Sequence, residues 1–383
     1  MKNIAMHFCR GFVGLLFILS GLIKANDPMG FGYKLQEYFD VFHIPFLGEF
    51  ATGIAMLLCI VEIVLGVLLL CGFWSKQVTL ALLVTIIFFT FLTFVSAVFK
   101  VVTSCGCFGD AIPLTPWQSF GKDLVLLLMI IHLYLNRTRI APFTRTSKPA
   151  IAILIVVTAL SFSFTLYTYY ALPIVDFLPY KIGNNVPGLM KIPPGEKGDE
   201  FEIVYQMKHK GSGETKSMND KDYMKSGIWD DENWSIIGDP ERRLVKKGYD
   251  IKIKDLNISD ASGTDYTKEL IENPYYNLVV VAYDLRKTDT AAFGRINALA
   301  LKAAEEFNVR TVLLTSNAAQ DVNTFGEQHK LFIEVFFADA VPLKSMVRSS
   351  PGLILFKNGV VVDKWSATFL PDYEKLKQQY FNR

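Results

Sequence analysis

Cysteine is scarce in this chain: there are five among 383 residues, and none follows Cys107. That absence removes both dithiol chemistry and disulfide stapling from everything after it. Net charge is scarce as well, at +2, and no basic stripe interleaved with aromatics is present, which sets nucleic-acid binding aside. Internal repeats and low-complexity tracts are absent, which excludes a solenoid. Charge is also missing from most of the chain before Tyr170, while it is plentiful afterwards. With a mean hydropathy of +0.28, the asymmetry divides the chain into a membrane half and a water-soluble half.

Five stretches satisfy the need for about 20 mostly apolar residues per span. They run over approximately Met6–Ile23, Ala51–Leu70, Val78–Phe99, Phe120–Leu135 and Pro149–Tyr170. The first differs from a cleaved signal peptide: Arg10 interrupts it, and Lys24 sits where small residues should mark a cleavage site, so a retained helix is expected. Lys2 and Arg10, Lys76, and the crowd of Arg137, Arg139, Arg145 and Lys148 all fall on one side of a five-span topology. That side is expected to be cytoplasmic. Segments 26–50 and 101–119 and everything after Tyr170 then lie outside, which suits a bacterial inner membrane with a periplasmic C-terminal domain.

Beyond the last span, Pro179, Pro187, Pro193 and Pro194 mark a linker, and residues 201–249 carry a weak pattern read as a small β-rich segment. The expected division is 1–140, 141–172, 173–249 and 250–383. In the last part, Asn277–Asp284, Thr311–Thr315 and Leu331–Phe337 read as strands and Asp289–Phe307 as a helix. Leu353–Phe356 and Val360–Lys364 flank Lys357-Asn358-Gly359, a hairpin signal, and Asp372–Tyr380 closes as a helix. Strands alternating with helices imply an α/β domain.

Cys9, Cys59 and Cys71 lie in spans or at their inner ends, where buried cysteine acts as a small apolar residue. Cys105-Gly106-Cys107 lies in an outer loop instead. Gly106 permits the tight turn that a bridge across one residue requires. Such a bridge is expected to be strained and readily reduced, hence redox-active, or else a static staple. Zinc wants four ligands, and no third candidate lies nearby, so no metal is expected. Glu62, deep in the second span, should face the bundle interior, either neutral and hydrogen-bonded or as a proton relay or quinone contact. Lys24 and Asp27 read as a snorkelling interfacial pair. Thr90, Thr93 and Ser96 suit helix packing, and Trp117 and Lys122 suit interfacial anchoring.

Two resemblances sharpen these expectations. The strand NLVVVAYDL and the tail RSSPGLILFKNGVVVDKW resemble the thioredoxin fold in its extracytoplasmic TlpA-like form. The resemblance implies that Pro351 is the cis proline facing the redox site, and that Asp284–Asp289 occupies the place of the family's C-x-x-C. The first half resembles the DoxX/MauE-like membrane proteins through Ser20–Pro28, Glu62 with Leu65-Gly66, and Cys105–Asp110 followed by Trp117. The whole looks like the DoxX-family proteins of Bacteroidetes that carry a thioredoxin-like domain. MauE is named for methylamine utilisation and is associated with maturing a disulfide-rich periplasmic subunit. More distantly, the arrangement is similar to vitamin K epoxide reductase and the DsbB oxidases. These likenesses imply a four-helix bundle plus a fifth helix. They also imply thiol–disulfide redox through Cys105 and Cys107, quinone as an acceptor with Glu62 and Trp117 as candidate contacts, and a periplasmic thiol protein or thioredoxin-like partner. The competing class is a membrane-anchored assembly or binding factor without catalysis, with a transporter third.

Overall fold

The computed structural model describes residues 2–99, 109–144 and 146–382. Among these, five helices are long and apolar enough to cross a membrane: Ile4–Asn26, Pro45–Cys71, Ser75–Phe99, Pro116–Leu135 and Lys148–Tyr170. The corresponding elements are α1 (Lys2–Asn26), α3 (Ala51–Cys71), α4 (Ser75–Phe99), α5 (Pro116–Leu135) and α6 (Ser147–Tyr170), with α2 (Pro28–Val41) inserted after α1. A helical membrane bundle followed by an α/β domain is therefore the fold.

Small residues set the closest helix contact, as expected where lipid offers no hydrophobic drive for association. A Cβ added at Gly66 of α3 would lie 2.7 Å from the Gly14 carbonyl oxygen of α1. One added at Gly21 would lie 2.7 Å from Ile63. Arg10 secures the opposite end of the same pair, at the C-terminus of α3. Its guanidinium donates to the carbonyls of Leu69 (2.9 Å), which also accepts from the Gly72 N–H, and of Leu70 (2.5 Å) at the C-terminal end of α3. The polar face expected on α4 packs in part: Thr93 donates to Asp123 of α5 (3.1 Å) and Ser96 shares a bond with Tyr38 (2.6 Å), whereas Thr90 bonds its own helix.

Segment 26–50 holds a helix that the hydrophobic pattern did not reveal. Asp27 caps α2 by accepting from the Gly30 N–H (2.8 Å), Pro28 occupies the first turn, and Phe31, Leu35 and Tyr38 are buried on one side. Its 14 residues were too few and too polar to stand out beside true spans. In α5, the start comes at Pro116 rather than Phe120, because Thr115 and Gln118 form a reciprocal capping box.

The chain gathers into two compact units, Met1–Asn184 together with Asn257–Arg383, and Asn185–Leu256. The second unit opens with the short α7 (Val186–Leu189). It is otherwise an antiparallel sheet of β1 (Glu200–His209), β2 (Thr215–Asn219), β3 (Trp234–Ile236) and β4 (Glu241–Lys246), with α8 (Asp220–Ser226) between β2 and β3. The long β1 pairs with all three other strands.

In the first unit, the α/β domain begins with α9 (Thr267–Ile271). It continues through β5 (Tyr276–Val281), α10 (Ala292–Phe307), β6 (Arg310–Thr315), α11 (Ala319–His329), β7 (Glu334–Phe337), α12 (Ala340–Met346), β8 (Gly352–Lys357) and β9 (Val360–Ser366), and closes with α13 (Tyr373–Leu376). The sheet order is β7-β6-β5-β8-β9, with β5, β6 and β7 parallel and β8 and β9 antiparallel. Asn358 and Gly359, both at positive φ, make the two-residue turn between β8 and β9. The Ser350–Pro351 peptide is cis. This is the thioredoxin-like arrangement. Helix α11 escaped the sequence pattern because it buries only Val322 and Phe325, and α12 because its seven residues are too few to set a helical period.

Candidate functional site

The thioredoxin-like domain meets the end of the bundle where α1 gives way to α2, through the face that, in a redox-active thioredoxin, carries the dithiol. Asp289 N–H donates to the Ser350 carbonyl (2.8 Å) and Ser350 Oγ donates to Thr288 Oγ1 (3.2 Å), so segment 284–289 lies beside cis-Pro351. No cysteine occurs in this segment. Directly before this segment, Tyr283 meets Tyr33 of α2 edge-on, with ring centroids 5.9 Å apart. Lys344 Nζ lies 4.7 Å and 5.2 Å from the two ring centres.

Arg348, three residues before Pro351, is the centre of this contact. It is 7% exposed, and donates through Nε to Asp27 (2.8 Å), through one terminal nitrogen to Asp110 (3.1 Å) and through the other to the Lys344 carbonyl (2.5 Å). Burial opposes its charge, but Asp27 and Asp110 outweigh burial, and its pKa stands above the ordinary guanidinium value. A second tie is Lys364 of β9 to Asp176 (2.5 Å), where burial holds the Lys364 pKa below its usual value against the pull of Asp176. Asn26 exchanges two hydrogen bonds with Val175 (2.8 and 3.0 Å), and β9 pairs with the linker through Gly183 and Asn184. The domain is therefore tied to the bundle directly through Arg348 and Tyr283, and by way of the linker through Lys364 and β9.

Between them lies a cavity of about 150 Å³, lined by Lys24, Asp27, Tyr33, Asp110, Lys344 and Arg348 among others. Cys105 and Cys107 lie outside the described residues. The first residues after that segment, Gly109 and Asp110, border this cavity.

Lys24 and Asp27 do not form the expected interfacial pair. Lys24 does not snorkel: it is 3% exposed and its ammonium points into the bundle, 2.5 Å from Glu62 Oε1, which is 2% exposed. Phe89 and Phe31 lie beneath the ammonium at 4.2 and 5.1 Å. Asp27 turns instead to Arg348. Glu62 thus faces the interior as an ion pair, an outcome that neither reading of a lone carboxyl included. A second buried carboxylate, Asp123, holds Lys122 at 2.6 Å. The cavity beside these groups, about 20 Å³, has room for about one water and none for a quinone ring. Trp117 is 61% exposed, rests edge-on against Phe120, and takes no part in that cavity. Glu62 lines this cavity and Trp117 does not. Cys59 is buried near Glu62, and Cys9 and Cys71 are partly buried and unbridged. Among the described residues no cluster of His, Cys, Asp and Glu is built for a metal.

Sequence reasoning missed Arg348, Asp110, Tyr33, Lys344 and Asp123. Asp123 could have been found, as a second carboxyl inside a span. The others are polar residues in polar segments and carry no signal until the two domains meet.

Likeness to known proteins fits this geometry. Residues 2–136 match the family described as methylamine utilisation protein MauE. The match covers the helices from α1 through α5. A curated relative, "Protein TlpB" of Flavobacterium psychrophilum, is 26% identical over 128 residues, or 33% of this chain. The chain spans about a third, 35%, of that relative's length. The protein is thus a membrane protein with a MauE-like bundle, joined to a thioredoxin-like domain.

Proposed function

We propose that this protein handles disulfides at the outer face of a bacterial inner membrane, with Cys105 and Cys107 as the exchanging pair and the thioredoxin-like domain docked in the periplasm. The observation that carries the reading is the Arg348–Asp110 bond. It joins the residue three positions after Cys107 to the cis-proline loop of a domain that contains no cysteine of its own. Gly109 borders the cavity between the two domains. The MauE-like bundle supports the same assignment.

The exchange is a two-electron step. The thiolate of one cysteine attacks a sulfur of the partner's disulfide, forming a mixed disulfide and releasing one partner thiolate. The neighbouring thiolate then attacks the sulfur of the first cysteine, which closes the Cys105–Cys107 bridge and frees the second partner thiolate. The partner is reduced and the pair oxidised; the reverse sequence oxidises the partner. A periplasmic thiol protein, reacting in the same manner, resets the pair, and no step runs through a quinone.

A second reading is favoured by one observation. The face of the thioredoxin-like domain that would engage a redox client is occupied by Tyr33, Asp27 and Asp110 of its own chain. In that reading the protein is a membrane-anchored assembly factor, and the pair is a staple. Thiol trapping on non-reducing gels separates the two. Under the redox reading, Cys107→Ser or Cys105→Ser accumulates mixed disulfides through the remaining cysteine. Absence of adducts from both single variants, with undiminished client maturation in the double variant, would leave the assembly reading standing.

A further inference from the structure

Two ion pairs in the bundle, one buried on both sides and one with its lysine partly exposed, have no part in the exchange just described. Lys24–Glu62 joins α1 to α3, and Lys122–Asp123 lies on α5. Charges at this depth are costly, and they occur where an ion or proton pathway or a specific pairing compensates the cost. Here the two pairs border one small cavity together with Ser20, and Lys24 also borders the larger outer cavity. One ammonium thus connects the outer cavity to the bundle interior.

The polar string stops there. Below it the core is Val13, Leu65, Leu68, Leu82, Ile130 and Leu133, all buried. The hydroxyls at that depth, Thr79 and Thr85, return their protons to their own helix at the Ser75 and Ala81 carbonyls. His132 does not continue the string: nine positions after Asp123, it is about two and a half turns away, on the opposite face of α5.

We propose that Lys24, Glu62, Lys122 and Asp123 form a proton-exchange site that opens to the outer side of the membrane and is closed towards the inner side. The ligand is the proton itself. Lys24 gives a proton from Nζ to Glu62 Oε1, converting the charged pair to a neutral amine and a neutral acid. The amine, at the rim of the outer cavity, then takes a proton from water there, and the site has gained one positive charge. The reverse order returns the proton to the same cavity. About one water fits between Glu62 and Asp123 and extends the exchange to the second pair.

Among the described residues, these groups face the site. Helix α1 presents Lys24 and Ser20, α3 Glu62 and Cys59, α4 Thr93 and the Phe89 ring, α5 Lys122 and Asp123, and α2 the Phe31 ring. The buried polar groups of α6 among the described residues are the hydroxyls of Ser161, Thr165 and Thr168, the last donating to the Ala25 carbonyl beside Lys24. The outer cavity adds Asp27, Tyr33, Lys34, Glu37, Asp110, Asp176, Lys344 and Arg348. The use of the site rests on the disulfide-handling function: each thiol that ionises at the cavity releases one proton, and the site receives it without passing it across the membrane.

The test does not require thiol activity. The full chain is reconstituted in vesicles with the C-terminal domain facing outward, and infrared difference spectra are recorded as pH is changed on one side only. The carboxyl absorption of Glu62 is identified by its loss in the double variant Lys24→Gln/Glu62→Gln, which removes both charges together. Absorption by protonated Glu62 should rise as outer pH falls and should ignore inner pH. The charge-swapped chain Lys24→Glu/Glu62→Lys retains the pair, should keep the outer response, and serves should the double variant fail to fold. A band that follows inner pH, or no Glu62 response from either side between about pH 4 and 10, overturns the proposal. In the latter case the ion pairs are structural only.

Discussion

At the scale of single residues, Arg348 illustrates how one side chain joins two domains that the sequence keeps apart. Its guanidinium reaches two carboxylates and a carbonyl in different directions, which a lysine cannot do. Asp27 and Asp110 keep side-chain exposures of 18% and 44%, so water relieves part of their charge when the arginine is lost. Arg348→Met is therefore expected to cost about 1.5–3 kcal/mol, the range for hydrogen bonds to charged groups, rather than the larger penalty of a sealed pair. Arg348→Lys should fall between. Thermal unfolding of the intact chain in detergent measures both; equal transitions for wild type and Arg348→Met would show that the contact holds nothing together.

At the scale of elements, α2 is the platform on which the thioredoxin-like domain rests, through Tyr33 against Tyr283. Burial raises the pKa of both hydroxyls above the ordinary tyrosine value, for Tyr33 well above it. The folded, docked state therefore favours the protonated phenols. Their contribution is complete below the unfolded value of about 10 and is lost as pH rises past it. Lys344 acts in the opposite sense, because burial lowers its pKa and the docked state holds its proton less firmly than the unfolded chain. The difference between wild type and Tyr33→Phe isolates the phenol. Stability of the wild type should decline more steeply than that of Tyr33→Phe above about pH 10. Parallel alkaline profiles in denaturant titrations would remove Tyr33 from the contact's energetics. Helix α2 itself was barely legible beforehand. Asp27-Pro28 is a good helix start, but the residues after it make a short amphipathic helix set among much longer apolar runs.

At the scale of the whole molecule, the charge distribution orients everything else. Arg137, Arg139, Arg145 and Lys148 crowd one loop, and the C-terminal end of α3 is held by Arg10. A reporter active only in the periplasm should be silent when fused after Arg139 and active when fused after Arg383. The reverse pattern would place the cavity, the cysteine loop and the thioredoxin-like domain in the cytoplasm, where paired thiols stay reduced.

The sequence by itself determined the spans, because about 20 apolar residues in a row admit no other reading in a bilayer. It determined the β/α order of the C-terminal domain, because buried parallel strands such as NLVVV must be almost wholly apolar. It also determined the position of the cis-proline loop and the lack of a dithiol beside it, since both are matters of which residue stands where. Only the tertiary structure decided the partners of the charges. Lys24 lies three residues from Asp27 and thirty-eight from Glu62, yet it joins the distant one. An apolar bundle gives a buried ammonium little water to fall back on, so the available carboxylate takes it wherever the chain has carried it. Asp27, released from Lys24, is matched with an arginine more than three hundred positions away, because folding brings the C-terminal end of α1 and the cis-proline loop to one surface.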